Sequence, residues 1–232
     1  MKEMNWKADL KAAIVRTWPV VFAYIFMAIA FGLSLGQVGF GPKWAVLFSI
    51  FVYAGSLQFA MVGFLAAGTA LSTAAILSLF LNARHMFYGI SFMDRFKQNK
   101  KLFPYMVFSL TDETYSVLLA EDWPPHINEA RADFFTSLLN HLSWILGSLI
   151  GAVAGSLIPF DFAGVEFSMT ALFLVIFLNQ WQATKDHFPA ICGLVSAIFF
   201  LIVLGADNFV LPSLIVTVLI VMIFHRKEKV HV

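Results

Sequence analysis

The chain of 232 residues is 60% hydrophobic and only 12% charged, with a net charge of +1 and a single cysteine, Cys192. A soluble domain averages about 25% charged residues, so this composition excludes an ordinary water-soluble fold. It also excludes nucleic-acid binding, which needs a concentrated basic patch, and an internal disulfide framework.

No charge falls within residues 17–42, 44–83, 134–160, 167–184, 187–206 or 208–225. A bilayer core of about 30 Å takes roughly 20 helical residues, so most of these tracts are long enough to span it. Nothing alternates in the manner of barrel strands, which leaves helices. The expected fold is therefore all-α: a polytopic transmembrane helix bundle of seven or eight spanning segments in a cell membrane, with at least one broken helix. Residues 1–17 form a cytoplasmic or interfacial segment, 18–225 a single transmembrane domain, and 226–232 a basic tail.

The N-terminal stretch carries Lys2, Lys7, Lys11 and Arg16 but no apolar core or cleavage site, and is read as mature sequence. Trp6, Leu10 and Ile14 recur at helical spacing, which suits either a helix on the membrane surface or an extension of the first span. Eight hydrophobic segments follow: Trp18–Gln37, Trp44–Ala67, Ala70–Phe92, Leu102–Leu119, Phe134–Ile158, Phe167–Thr184, Pro189–Leu204 and Phe209–Phe224. The tract 44–83 is too long for one crossing and must fold back, with Ala66-Ala67-Gly68-Thr69 as the turn.

Basic residues before the first span, and Arg226, Lys227 and Lys229 at the end, favour cytoplasmic termini. Eight crossings satisfy both, yet they put Arg95, Lys97, Lys100 and Lys101 outside, against the same rule. One early segment that enters and leaves on the same side removes the clash, and the C-terminus then needs a second such exception. Phe80-Leu81-Asn82 and Phe177-Leu178-Asn179 are a faint sign of internal repetition.

Polar groups within the spans are costly and point to function. In the second segment, Tyr53-Ala54-Gly55-Ser56-Leu57-Gln58-Phe59 places small and hydrogen-bonding residues at mid-depth. That composition suits either a helix that opens to expose its backbone or an intact helix with close packing. In the third, Arg84, His85 and Tyr88 share an arc of about 100°, with Asn82 roughly 60° beyond, so all four can face one cavity. Arg84 could grip a carboxylate there or snorkel to the interface. His85 is a proton-carrying candidate or a hydrogen-bonded structural residue.

In the fourth segment, Thr111-Asp112-Glu113 sets two carboxylates side by side, and Ser109, Asp112 and Ser116 fall within about 60° on an unbroken helix. Arg84 is the only basic residue within the spans for them to pair with. The segment is either buried and functional or amphipathic and partly outside lipid. In the fifth, Asn140, Trp144, Gly147, Gly151 and Gly155 form a stripe of about 80°, a packing seam in which only Asn140 is a candidate for a binding role. No phosphate-binding loop, HExxH or His/Cys cluster occurs, so no cofactor or metal is expected.

The three motifs Tyr53–Phe59, Asn82-Ala-Arg-His85 with Tyr88, and Thr111-Asp-Glu113, in this order and spacing, resemble the AzlC family of branched-chain amino acid permeases. The resemblance covers nearly the whole chain and is strongest in the first half. It implies export of leucine, isoleucine, valine or similar amino acids, together with a small membrane partner of the AzlD type. On this reading Tyr53, Gly55, Ser56, Gln58, Asn82, Arg84, Tyr88 and Asn140 bind or pass the substrate, and His85, Asp112 and Glu113 are candidates for proton coupling. Two alternatives stand beside it. Ser56, His85 and Asp112 are the residue types of an intramembrane hydrolase, although no oxyanion-hole motif accompanies them. The chain is otherwise a non-transporting membrane subunit, its polar clusters serving as interface glue.

Overall fold

The computed structural model describes residues 6–97, 100–120, 123–157, 184–205 and 209–228, with isolated positions between 174 and 182. The side chains of Arg84, Met86, Phe87 and Leu211 and of residues 225–228 lie outside the described residues, as does most of the expected segment Phe167–Thr184. The described residues fold into helices, without strands. Two compact units divide the chain, Met1–Met169 and Thr170–Val232.

In the first unit α1 (Trp6–Gln37) is one uninterrupted helix, so Trp6, Leu10 and Ile14 extend the first span. A turn with Gly39 at φ 87° ends it, and Pro42, whose fixed φ suits a helix start, opens α2 (Pro42–Phe51). Next come α3 (Gly55–Ala66), α4 (Leu71–Ser91), the single turn α5 (Met93–Phe96), α6 (Phe103–Phe108), α7 (Asp112–Ala120) and α8 (Glu129–Leu157). The expected turn joins α3 to α4. Gly68 adopts φ 62°, and the Thr69 N–H donates to the Phe64 carbonyl at 2.9 Å.

The frame is α1 packed on α8. Contacts advance along both helices together: Asp9 with Arg131, Thr17 with Asn140, Tyr24 with Trp144, Gly32 with Ser148 and Ala152, and Leu33 with Gly155. The two are therefore parallel. Their contact is closer than a side chain permits: a Cβ at Gly147 would lie 2.7 Å from Ala28 Cβ and the Ile25 carbonyl oxygen, and one at Gly151 would overlap the Ile29 backbone. The glycine stripe is thus a packing seam, as its spacing suggested. Outward faces remain apolar, with Trp18, Phe22 and Phe26 of α1 and Leu142, Leu146 and Ile150 of α8 exposed. These are the two helices among the described residues that are long and apolar enough to cross a membrane.

Two pairs of short helices lean on this frame from opposite ends, the lower end being the one where α1 and α8 begin. From the upper end α2 descends until Ser49 meets Ser148 and His141. After a break at Val52–Ala54, α3 climbs back, with Gly55 against Trp144 and Phe59 against Phe31. Helix α4 then runs down to α5, where Arg95 pairs with Asp133 and Glu129 in the first turns of α8. From there α6 rises to set Tyr105 beside His141. The chain breaks at Ser109–Thr111, and α7 falls until the Leu118 carbonyl faces Arg95 again.

The fourth segment is therefore not one helix, which overturns the expected stripe of Ser109, Asp112 and Ser116. Arg95, Lys97, Lys100 and Lys101 lie at the same end as the start of α1, and two segments of the first unit, the second and the fourth, double back at a break.

In the second unit α9 (Phe188–Leu204) opens with the Asp186 carboxylate accepting the Phe188 N–H at 2.9 Å, and it ends at Gly205, φ 77°. It lies antiparallel to α10 (Val210–Glu228), Phe188 meeting Phe224 and Gly193 meeting Thr217.

Candidate functional site

The two breaks meet midway along the frame. Tyr53, in the first break, holds φ 38°, a left-handed conformation that costs a non-glycine residue about 1–2 kcal/mol. Its ring lies 6.3 Å from Phe108, at the end of α6. Tyr53 is thus the joint at which hairpin one (α2–α3) touches hairpin two (α6–α7).

The helix starts at these tips differ in charge. Helix α3 begins with Gly55 and Ser56, has no side-chain cap and carries no acidic residue in its first turn. Its own first turn carries no negative charge, and the positive end of its dipole lies at the tip of the hairpin. Helix α7 begins with Asp112 and Glu113, so its start is negative.

Glu113 ends a connected run of polar groups. Thr17 donates to the Asn140 amide oxygen at 2.7 Å, and Asn140 donates to Thr114 at 3.0 Å. The Thr114 and Thr111 hydroxyls are 3.1 Å apart, and Thr111 lies 2.6 Å from the Tyr24 hydroxyl. Tyr24 donates to Glu113 Oε2, also at 2.6 Å. Because a carboxylate only accepts, the Tyr24 proton is committed to Glu113, while the Thr111 hydroxyl donates to Thr114. Thr17, Thr114 and Asn140 are fully buried, and Tyr24 is nearly so.

The neighbouring carboxylate turns away. Asp112 Oδ1 accepts from Tyr88 of α4 at 2.7 Å, Tyr88 stacks on Tyr115 at 4.5 Å, and His85 meets Tyr88 edge-on at 5.8 Å. The structure therefore splits the sequence-selected residues. Tyr53, Gly55, Asn140 and Glu113 gather around Tyr24 and Trp144, whereas His85 and Tyr88 of α4 and Asp112 of α7 form a second group. Gln58 faces Ser49 at 3.4 Å, and Ser56 is buried in the first turn of α3. The Arg84 side chain falls outside the described residues.

Several buried polar atoms in this region have no hydrogen-bond partner: the Tyr53 hydroxyl, the side-chain oxygens of Gln58 and Asn82, and Trp144 Nε1. Each such group costs about 1–3 kcal/mol, and in a membrane interior they are the natural contacts of a polar guest. Tyr24, Tyr105 and His141 escaped the sequence reading, and Trp144 entered it only as part of the packing seam. Of these, only His141, an ionisable residue inside an apolar tract and next to Asn140, carried a signal that could have found it.

At the lower end Arg95 donates to both oxygens of the fully buried Asp133 at 2.7 Å, and Trp123 Nε1 donates to the same carboxylate at 2.6 Å. Arg131 and the Asn128 N–H similarly hold Asp9. Paired and hydrogen-bonded, these buried charges fasten the lower ends of α1, α5 and α8 together.

Long helices with outward apolar faces, paired half-helices and buried polar groups at mid-depth define a helical membrane protein, and the comparisons with known proteins agree. Residues 19–158 match the family model described as "AzlC protein". The chain belongs to the AzlC family. It is 35% identical over 208 residues to the "Branched-chain amino acid transport protein AzlC" of Bacillus subtilis, covering 90% of this chain and 82% of that one. It is 39% identical over 217 residues to an "Uncharacterized membrane protein" of Helicobacter pylori, with 94% and 95% covered. Against the "Inner membrane protein YgaZ" of Escherichia coli it is 33% identical over 196 residues, with 78% and 76% covered. No solved structure matches.

Proposed function

We propose that the protein is a secondary transporter that exports branched-chain or similar small neutral amino acids across the cytoplasmic membrane, working with a small AzlD-type membrane partner. One observation carries this reading: two interrupted helices meet at mid-depth with opposite charge, in a chain similar to a protein named for branched-chain amino acid transport. An amino acid is a zwitterion, and the tips complement it. The positive end of the α3 dipole at Gly55 and Ser56 favours its carboxylate, for which Arg84 is a further candidate, and Glu113 favours its ammonium. Tyr53, Gln58, Asn82 and Trp144, each with an unpartnered buried polar atom, line the path.

In the membrane, α1 and α8 cross, α4 runs back between their two ends, and the two hairpins reach only halfway. The Arg95–Lys101 cluster and the start of α1 lie at one end of the first unit, which the excess of basic residues assigns to the cytoplasmic face. His85, Asp112 and Glu113 are candidates for taking up a coupled proton.

Reconstitution in vesicles, with and without the small partner, tests the reading. Counterflow of labelled valine is expected, with exchange slowed by excess leucine. Absence of counterflow under both conditions would overturn it. Labelling by a serine-directed covalent probe would favour the hydrolase alternative built on Ser56, His85 and Asp112.

A further inference from the structure

His141 of α8 touches both hairpins and is 7% exposed. Its Nε2 lies 3.1 Å from the Ser49 carbonyl oxygen in the last turn of α2, and its Nδ1 lies 3.1 Å from the Tyr105 hydroxyl of α6. Its ring lies 4.1 Å from the Tyr53 ring, inclined by 31°, with Phe108 at 5.9 Å. A carbonyl only accepts, so Nε2 carries the hydrogen of the first contact. In the neutral ring Nδ1 is then the acceptor, and Tyr105 donates to it. The orientation of the Tyr105 hydroxyl thus reports the protonation state of the histidine.

We propose that His141 is the residue that couples proton uptake to the relative movement of the two hairpins. This inference rests on the transport reading above. A proton adding to the Nδ1 lone pair turns that nitrogen from acceptor to donor. The O–H···N bond from Tyr105 breaks, the tyrosine turns its hydrogen away, and N–H···O to the same oxygen replaces it. Tyr105 then needs a new acceptor, so the contact between hairpin two and α8 changes. The positive ring keeps two favourable neighbours, the face of Tyr53 and the Ser49 carbonyl at the negative end of the α2 dipole.

Among the described residues, the polar groups facing the ring are few. The break in hairpin one presents Tyr53, α6 presents Tyr105, and α2 presents only the Ser49 backbone. Beyond them, Glu113 is tied to Tyr24, which packs on Trp144 three residues along α8. Asp133 of α8 is held by Arg95. Proton loading of His141 therefore acts on the hairpin contacts directly.

The test uses the full chain in vesicles with its partner, comparing accumulation of valine under an imposed pH gradient with gradient-free exchange, from about pH 5.5 to about pH 8, the range in which histidine titrates. For His141→Gln, which hydrogen bonds but does not titrate there, exchange is expected to persist and lose its pH dependence. Accumulation is expected to disappear; one coupled proton at about 100 mV could sustain a gradient of roughly fiftyfold. Retention of accumulation with the wild-type pH profile would overturn the proposal. So would loss of exchange together with accumulation in protein that is folded, since that marks a structural pin. Should His141→Gln not fold, Tyr105→Phe carries the test: its exchange profile should shift along the pH axis, and an unmoved profile overturns the proposal. Wild-type protein without any exchange is a separate result that removes the transport reading itself.

Discussion

The two hairpins use one backbone device with opposite electrostatics. Both descend or rise to mid-depth, break over about three residues and return. Hairpin one restarts on glycine and serine with no cap and no acid, hairpin two on a pair of carboxylates. Their difference teaches that an interrupted helix is not in itself selective. The residue types at the restart decide which end of a zwitterion it attracts.

The largest effect is expected where both hairpins lose their support. Gly151→Leu, whose side chain would enter the Ile29 backbone, should abolish folded protein by size-exclusion analysis, because overpacking a tight seam costs about 3 kcal/mol or more. Gly36→Ala, with open space around the added carbon, should behave as wild type.

Next comes the negative tip. Glu113→Gln should weaken the apparent affinity for valine by about ten- to hundredfold, the worth of one charged hydrogen bond of about 1.5–3 kcal/mol. Asp112→Asn, whose carboxylate faces Tyr88 of α4 rather than the Tyr24 network, should lose much less, and equal losses would erase the distinction between the two acids. At the positive tip, Gly55→Ala brings a carbon to 2.9 Å from the Trp144 ring. A cost of about 1–2 kcal/mol in thermal unfolding is expected, with stability restored in the double variant Gly55→Ala/Trp144→Phe. The smallest effect belongs to the link between the tips: Tyr24→Phe should cost about 1 kcal/mol in stability and leave valine selectivity unchanged.

The first break was legible because Tyr53-Ala54-Gly55-Ser56 is a weak helix stretch in an otherwise apolar tract. The second was not. Ser109-Leu110-Thr111 contains neither glycine nor proline, and its break depends on groups far away in sequence. Tyr24 reaches Thr111, Tyr88 draws Asp112, and Ser109 hydrogen bonds the Tyr105 carbonyl at 2.8 Å as α6 ends. Helical periodicity read across such a break assigns residues to a common face that does not exist, which is why the expected polar stripe failed. The parallel docking of α1 on α8 was equally hidden, since a glycine stripe shows that a close partner exists but not which one.

That docking has a consequence for biogenesis. Thr17 waits for Asn140, 123 positions later, and Asp9 for Arg131. When the first helix leaves the ribosome, its glycine-matched groove and its buried hydroxyl have no counterpart, and hairpin one inserts with nothing to lean on. Maturation of the whole first unit is therefore deferred until α8 has been synthesised, and a nascent chain stalled before residue 129 would hold its helices in lipid as loose, chaperone-dependent pieces.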